Sequence, residues 1–429
     1  MIDLKDYRSN PQKYIKGAHD KRVVVDRERF AVLDEQLREA KQEVDEANGK
    51  RNYLSAQIDQ IKRTGGAVEE IVEQVKTLKV RIQELEQHYN ELEEEFKAIV
   101  YTIPNPSFDD VPVGASDAEN VVAAFIGEKP TFDFTPKPHR EILEAKWYLD
   151  QERAVKLSGS RFQIVRGDLA RLEFALAQWL VDKLTAKGFQ FAMVPHLVKE
   201  EALFTTGYLP NEAVNIYRVN PKTSSEKKDR EEDDLWLIGT SEVALVAQHM
   251  NEVLDADQLP LRYVGFSFCF RREAGTYGKD TKGLIRVHQF EKVEMVSFVR
   301  PEDSQKEHEF LRQIEEEIFT ELGIHFQRLH ICTGDTGAPA AKKYDLEARF
   351  PGIGMYKEVT STSNTTDFQT RRGNIKFKDG DKKEFLHSLN GTAAALGRCL
   401  AAIVENYQTA EGNIKIPEVL KPYFGKDEI

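Results

Sequence analysis

The chain has 429 residues, with 60 Lys and Arg against 72 Asp and Glu and a net charge of −12. That balance excludes a protein that holds nucleic acid by a global positive field, because the electrostatic part of phosphate binding comes from Lys and Arg; any RNA contact is expected from a local basic surface. Cys269, Cys332 and Cys399 are scattered and odd in number, which argues against a disulfide framework or a CxxC zinc site, and the sequence offers neither a signal-peptide core nor an apolar run near the roughly 20 residues of a membrane span, so a cytoplasmic protein without membrane contact is expected.

The first hundred residues carry the clearest periodicity. Phe30, Leu33, Leu37, Ala40, Val44, Ala47, Arg51, Leu54, Ile58 and Ile61 recur at spacings of three and four, with only Arg51 breaking the apolar series. Ile71, Val75, Leu78, Ile82, Leu85, Tyr89, Leu92, Phe96 and Ile99 repeat the pattern. These are heptad seams. Thr64-Gly65-Gly66 separates them and must stop the helix. An antiparallel helical hairpin is expected over about 27–100, each helix roughly 50 Å long. A two-helix hairpin buries little beyond its own seam and should project as an arm. Between residues 50 and 81 there are seven cations, Lys50, Arg51, Lys62, Arg63, Lys76, Lys79 and Arg81, against four anions. The base of the second helix instead reads Glu91, Glu93, Glu94, Glu95. Heptad pairs commonly serve only dimerisation or spacing, but this charge placement suits an RNA backbone.

A proline-rich linker follows, Ile103-Pro104-Asn105-Pro106 and then Val111-Pro112. It divides the chain into domains at 1–103 and 104–429. Beyond it, Arg171 to Lys187 has helical periodicity, Gly188 ends it, and Phe189 to Val194 reads as a strand closed by Pro195. The charged stretch 219–234 reads as an exposed insertion. Leu261–Phe270, Gln289–Val299 and Lys383–Leu389 are strand-like. Their irregular spacing lacks the βαβ rhythm, so the expected class is α+β, an antiparallel sheet flanked by helices with the helical arm in front.

No GxxxxGK[ST] loop is present, and no GxGxxG follows a strand. A nucleotide would therefore be held by arginines, whose guanidinium meets a phosphate bidentately. Phe268-Cys269-Phe270-Arg271-Arg272-Glu273 is a strand end, a glycine-containing loop follows, and Leu284 to Glu294 reads as the returning strand. Alternation would place Arg286, Phe290 and Glu294 on one face. A ring among arginines and carboxylates suits a nucleotide base and its phosphates. His139, His196, His288 and His387 are read as structural hydrogen-bonding residues, Cys269 and Cys399 as packed thiols, and Trp179 as core or interface.

This hairpin resembles the second signature of the class II aminoacyl-tRNA synthetases, in the wording of their seryl branch. Gly167 to Pro195 resembles the first signature, and Leu389-Asn390-Gly391-Thr392-Ala393-Ala394-Ala395-Leu396-Gly397-Arg398 the third. Thr240-Ser241-Glu242 is similar to the serine-binding TxE. Lys156 to Phe162, Glu358 to Asn364 and Asp367 to Arg372 are also seryl-like, and the hairpin arm resembles the branch's tRNA-binding arm. The resemblance runs nearly end to end and is of bacterial type.

It implies a serine–tRNA ligase that uses ATP and Mg²⁺ to make seryl-adenylate and then charges tRNA(Ser), and tRNA(Sec) as well. It implies that Arg271 grips the α-phosphate, Arg286 and Arg398 hold the outer phosphates, Arg271 and Arg398 being the catalytic pair. Arg272, Glu273, Val287, Phe290, Val359 and Thr360 complete the ATP site, with Glu273 at the adenine and Phe290 stacked on it. Glu358 and Ser361 would place Mg²⁺. Thr240, Ser241, Glu242, Glu294, Asn390 and Thr392 would form the serine pocket, and Lys50, Arg51, Lys62, Arg63, Lys76 and Lys79 the tRNA surface of the arm. A homodimer is implied, with tRNA crossing from one subunit's arm to the other's active site. Gly239, Arg272, Arg349 and Ala393–Ala395 depart from the usual wording and bear on fine geometry. Two other readings are a silent relative kept for RNA binding, against which Arg271, Glu273, Glu358 and Arg398 all speak, and a ligase that loads a carrier protein, against which the arm speaks.

Overall fold

The computed structural model describes residues 1–219, 234–274 and 283–429. The charged insertion, except its end residues, and the tip of the hairpin loop lie outside the described residues. The chain forms two compact units, Val23–Ile103 and Met1–Arg22 with Pro104–Ile429. Residues 1–22 form α1 (Leu4–Ser9) and α2 (Pro11–Asp20) and pack in the larger unit. There Arg371 pairs with Asp3 at 2.6 Å and Lys21 bonds to Gly337.

The smaller unit is the helical hairpin, α3 (Arg27–Arg63) and α4 (Glu69–Val100). Asp26 caps α3 by accepting from Arg29 N at 2.9 Å. Every residue of the two expected seams is buried or half-buried. At the base, Phe30 meets Phe96 with ring centroids 5.0 Å apart. Thr64 ends α3, its hydroxyl donating to Ile61 O at 3.0 Å, and Gly65 turns with φ +75°.

The larger unit is built on eight strands: β1 (Val121–Ile126), β2 (Gln190–Met193), β3 (Leu261–Phe270), β4 (Gln289–Val299), β5 (Phe326–His330), β6 (Lys342–Phe350), β7 (Met355–Asn364) and β8 (His387–Ala395). Their order is β1-β5-β6-β7-β8-β4-β3-β2. Every neighbouring pair is antiparallel except β2–β3, which is parallel. Helices α5 (Gly167–Ala186), α6 (Glu242–Ala247), α7 (Ser304–Glu321), α8 (Phe368–Gly373) and α9 (Leu396–Asn406) complete the frame. Leu172, Leu176 and Trp179 of α5, Leu311 and Ile318 of α7, and Leu400 and Ile403 of α9 close one continuous core with Val264, Val293 and Met295 of the sheet. Burying each such leucine contributes about 1.5–3 kcal/mol.

Two expected elements change. The stretch Lys383–Leu389 is not one strand: Lys382–Phe385 pairs with Lys376–Asp379 in a separate sheet, and β8 starts at His387. Leu386, fully buried, marks the switch. The returning strand begins at Gln289, so Arg286 lies in the loop before it and not on the face of Phe290 and Glu294.

Candidate active site

Residues of β4, β6, β7 and β8 line the floor of a cavity of about 380 Å³. Alternation along β4 turns Phe290, Lys292 and Glu294 to the same side. In β7 a bulge lies between the pairs Leu346–Thr360 and Glu347–Glu358. The extra residue, Val359, lets Glu358 and Ser361 face the cavity together. Thr360 also borders the cavity, while its hydroxyl donates to Glu315 of α7 at 2.8 Å.

One end of the cavity is cationic. Arg271 follows directly on β3. Its backbone is pinned to His288, N to O at 2.9 Å and O to Nδ1 at 2.7 Å. Its guanidinium lies 5.5 Å from the Phe290 ring centroid and donates to Gly239 O at 3.3 Å. Arg286 pairs with Glu273 at 2.8 Å, and Glu273 is held at φ +50°. Arg398, at the start of α9, donates to the carbonyls of Glu358 at 2.9 Å and Ile285 at 3.0 Å, and pairs with the Glu358 carboxylate at 3.2 Å. Desolvation pushes the Glu358 carboxyl up, but Arg398, Lys343 and Arg271 outweigh it and hold it below the usual carboxylate range.

The other end is anionic and rich in hydroxyls. Glu294 is fully buried and accepts from Thr240 and Thr392, both at 3.3 Å, and from Asn390 at 3.5 Å. Lys292 forms a buried ion pair with it. Glu242, at the start of α6, accepts from Asn390 at 3.3 Å and from Gln369 at 2.7 Å. Burial first, and then Glu294, pushes the Glu242 carboxyl up to about 7.

The structure brings Arg271, Glu273, Arg286, Val287, Phe290, Glu358, Val359, Thr360, Ser361 and Arg398 together on the cavity wall, with Glu242, Asn390 and Thr392. Thr240 and Glu294 lie just beneath, completing the anionic end. Two expected residues fall outside it. Arg272 is exposed, because it projects away from its neighbour Arg271. Ser241 is buried against Gly265, where a Cβ would come within 3.0 Å of its hydroxyl. Lys292 and Gln369 were missed. The period-2 relation of Lys292 to Glu294 was a readable signal; for Gln369 the signal was the seryl-like stretch Asp367 to Arg372, which carried no role for it. Of the departures, Gly239 supplies the carbonyl for Arg271 and Ala395 lines the cavity. His139 bonds Glu405 at 2.7 Å and His288 bonds Arg271, structural roles as expected, whereas buried His387 Nδ1 has no partner among the described residues.

On the arm, Lys50, Lys62, Arg63 and Lys79 are exposed and unpaired among the described residues. Lys76 pairs with Glu73 at 3.1 Å, and Arg51 is half-buried on the seam, bonded to Asn52.

An antiparallel sheet whose motifs set arginines at one end of a cavity and carboxylates at the other defines a class II aminoacyl-tRNA synthetase core. The family model of the tRNA synthetase class II core domain (G, H, P, S and T) matches residues 217–407, and that of the seryl-tRNA synthetase N-terminal domain matches residues 1–106. The serine–tRNA ligase of Fervidobacterium nodosum is 43% identical over 433 residues, covering 100% of this chain and 99% of its own; that of Kosmotoga olearia is 43% identical with 100% of both chains covered. The crystal structure of seryl-tRNA synthetase from Pyrococcus horikoshii complexed with ATP superposes with a TM-score of 0.87 at 37% identity, covering 100% of this chain and 99% of its own. The chain belongs to the seryl-tRNA synthetase family, whose members are aminoacyl-tRNA ligases for serine. Among the described residues, no helix is long and apolar enough to cross a membrane.

Proposed function

We propose that the cavity condenses serine with ATP to seryl-adenylate and passes the seryl group to the 3′-terminal adenosine of tRNA(Ser), and of tRNA(Sec) as well. The observation that carries this is the polarity of one cavity: guanidinium groups at one end, buried carboxylates with hydroxyls and an amide at the other. The serine ammonium meets Glu242 and Glu294, and Thr240, Thr392 and Asn390 orient that end. A pocket that hydrogen-bonds the serine hydroxyl rejects alanine by roughly 10⁴-fold, because its own groups would be left unpaired. Phe290 stacks on adenine beside Glu273. Arg271 neutralises the α-phosphate, and Arg286 and Arg398 hold the outer phosphates as pyrophosphate leaves. The serine carboxylate attacks in line, so the chain supplies position and charge, with no nucleophile of its own.

Glu358, held ionised by its cationic neighbours, and the Ser361 hydroxyl are hard oxygen donors that fit Mg²⁺, which takes one or two protein oxygens and completes its shell with phosphates. When bound, Mg²⁺ would neutralise phosphate charge. The exposed apolar residues Phe174, Phe191 and Met193 support a homodimer built through α5 and β2, with tRNA crossing between subunits. The expected setting is the cytoplasm.

ATP–pyrophosphate exchange with a panel of amino acids tests the reading. Exchange with serine alone is expected; its absence with every amino acid would leave a silent RNA-binding relative.

Two further results are expected. Because Glu242 must be ionised to meet an ammonium, kcat/KM for serine should fall as pH drops through about 7, its position in the free protein. A flat profile between pH 6 and 8 would remove Glu242 from the ammonium site. On the arm, neutralising Lys62, Arg63, Lys76 and Lys79 together should raise KM for tRNA at least ~10-fold at moderate salt, with serine activation unchanged. Equal loss in both assays would refute the arm assignment.

A further inference from the structure

Residues 336–340, Thr336-Gly337-Ala338-Pro339-Ala340, wall one side of the cavity. This wall belongs to no helix or strand. It is gripped from behind by two residues that flank the arm in sequence. Lys21 Nζ donates to Gly337 O at 2.9 Å and Ala340 O at 2.5 Å. Asn105 N donates to Ala338 O at 2.9 Å, and Asn105 Nδ2 to Pro339 O at 2.9 Å. Four consecutive carbonyls of the wall are thus taken by two side chains and one amide. Backbone carbonyls need partners once buried, but water or a neighbouring loop would serve as well. A buried ammonium is a costly choice. Lys21 is 8% exposed and pairs with no carboxylate among the described residues; burial alone draws it down to about 7.

The grip reaches the anionic end by two routes. Asn105 Nδ2 also donates to Thr365 O at 2.8 Å; the Thr365 hydroxyl bonds Ser388 Oγ at 2.7 Å, and Ser388 Oγ donates to Gln369 Oε1 at 2.9 Å. Pro339 of the wall packs on Gly207, where a Cβ would come within 2.8 Å of its Cγ. The residue before it, Thr206, accepts from Gln369 Nε2 at 3.1 Å. Both routes converge on Gln369, and Gln369 Nε2 donates to Glu242 at 2.7 Å. Neither runs through Arg271, Arg286 or Arg398.

We propose that Lys21 and Asn105 are positioning residues for the amino-acid substrate: they set the 336–340 wall and, through Gln369, the Glu242 carboxylate, while leaving the nucleotide end untouched. This rests on the reading of Glu242 as a serine ligand.

The test is exchange kinetics on the full chain, varying serine and ATP separately. In K21M and N105D, KM for serine should rise about tenfold, the equivalent of one hydrogen bond to a charged group, with KM for ATP within about twofold on the same scale. K21C alkylated with 2-bromoethylamine, which rebuilds an ammonium at that reach, should recover the serine KM; the native cysteines are all buried. T365V, which removes one hydroxyl, should show the same serine-only shift and serves if K21M or N105D fails to fold. Parallel rises in both KM values, or an unchanged serine KM in folded T365V, would overturn the proposal. Wild-type protein that exchanges with no amino acid would instead overturn the reading of the cavity on which it rests.

Discussion

Arg271→Ala is expected to lower serine-dependent exchange by about 10²–10³-fold, the scale seen when one preorganised charge-stabilising donor is removed from an active site. The argument is geometric. The Arg271 backbone is fixed in both directions by His288, and its guanidinium is held between Gly239 O and the Phe290 ring. The side chain therefore needs no reorganisation to meet charge that develops on the α-phosphate. The effect should fall on kcat more than on KM for serine, because serine's ammonium end is held at the opposite pole. Arg271→Lys keeps the charge and loses the planar fork, so it should recover only part of the rate. The thermal midpoint should move little, since the side chain gives up one long bond to a carbonyl. Residual exchange within tenfold of wild type would take Arg271 out of the α-phosphate site.

Glu294→Gln should abolish serine activation and also destabilise the fold by about 3–5 kcal/mol. Glu294 is fully buried and Lys292 nearly so, and breaking their ion pair leaves an ammonium in the interior without its counter-charge. Two hydroxyls and an amide now satisfied by Glu294 must re-pair as well. The double variant K292M/E294Q separates the two losses. Removing both charges should return most of the stability in a denaturant titration and none of the exchange. If stability does not return, the pair is not what the single substitution breaks; if exchange returns, Glu294 does not hold the ammonium.

Legibility in the sequence followed chemistry that repeats. The arm was readable to its last seam residue, because two long helices facing each other must show a heptad stripe. The apolar runs Leu261–Phe270 and Gln289–Val299 matched β3 and β4, whereas the hairpin reading carried the second of them back to Leu284, into what is loop. β6 and β7 were not found. They carry Lys342, Lys343, Asp345, Glu347 and Glu358 among their apolar residues, of which Lys343 and Glu358 line the cavity, and polarity hides the strand. β8 fails for the opposite reason: Ser388 to Ala394 are buried on both faces apart from half-buried Asn390, so no alternation remains. Most of the cavity's charged residues came through motif resemblance. Arg272 and Ser241 show its limit, for a motif conveys which residues adjoin and not which way each projects. Gln369 bonds Glu242 across 127 residues of sequence; the seryl-like stretch around it marks the residue, but nothing local says what it touches.

The hairpin arm closes unevenly along its length. Phe30, Leu33, Leu92, Phe96 and Val100 near its base are buried, while Ile58, Ile61, Ile71, Val75 and Leu78 beside the turn are only half-covered. Opening free energy is therefore expected to fall from base to tip, with the turns around Gly65 fraying first. Lys62 and Arg63 sit in that fraying zone. On the proposed reading of the arm as the tRNA surface, an RNA backbone engaging them would favour the closed form and give up chain entropy to do so, weakening the grip of the tip while letting it follow an RNA surface of variable shape.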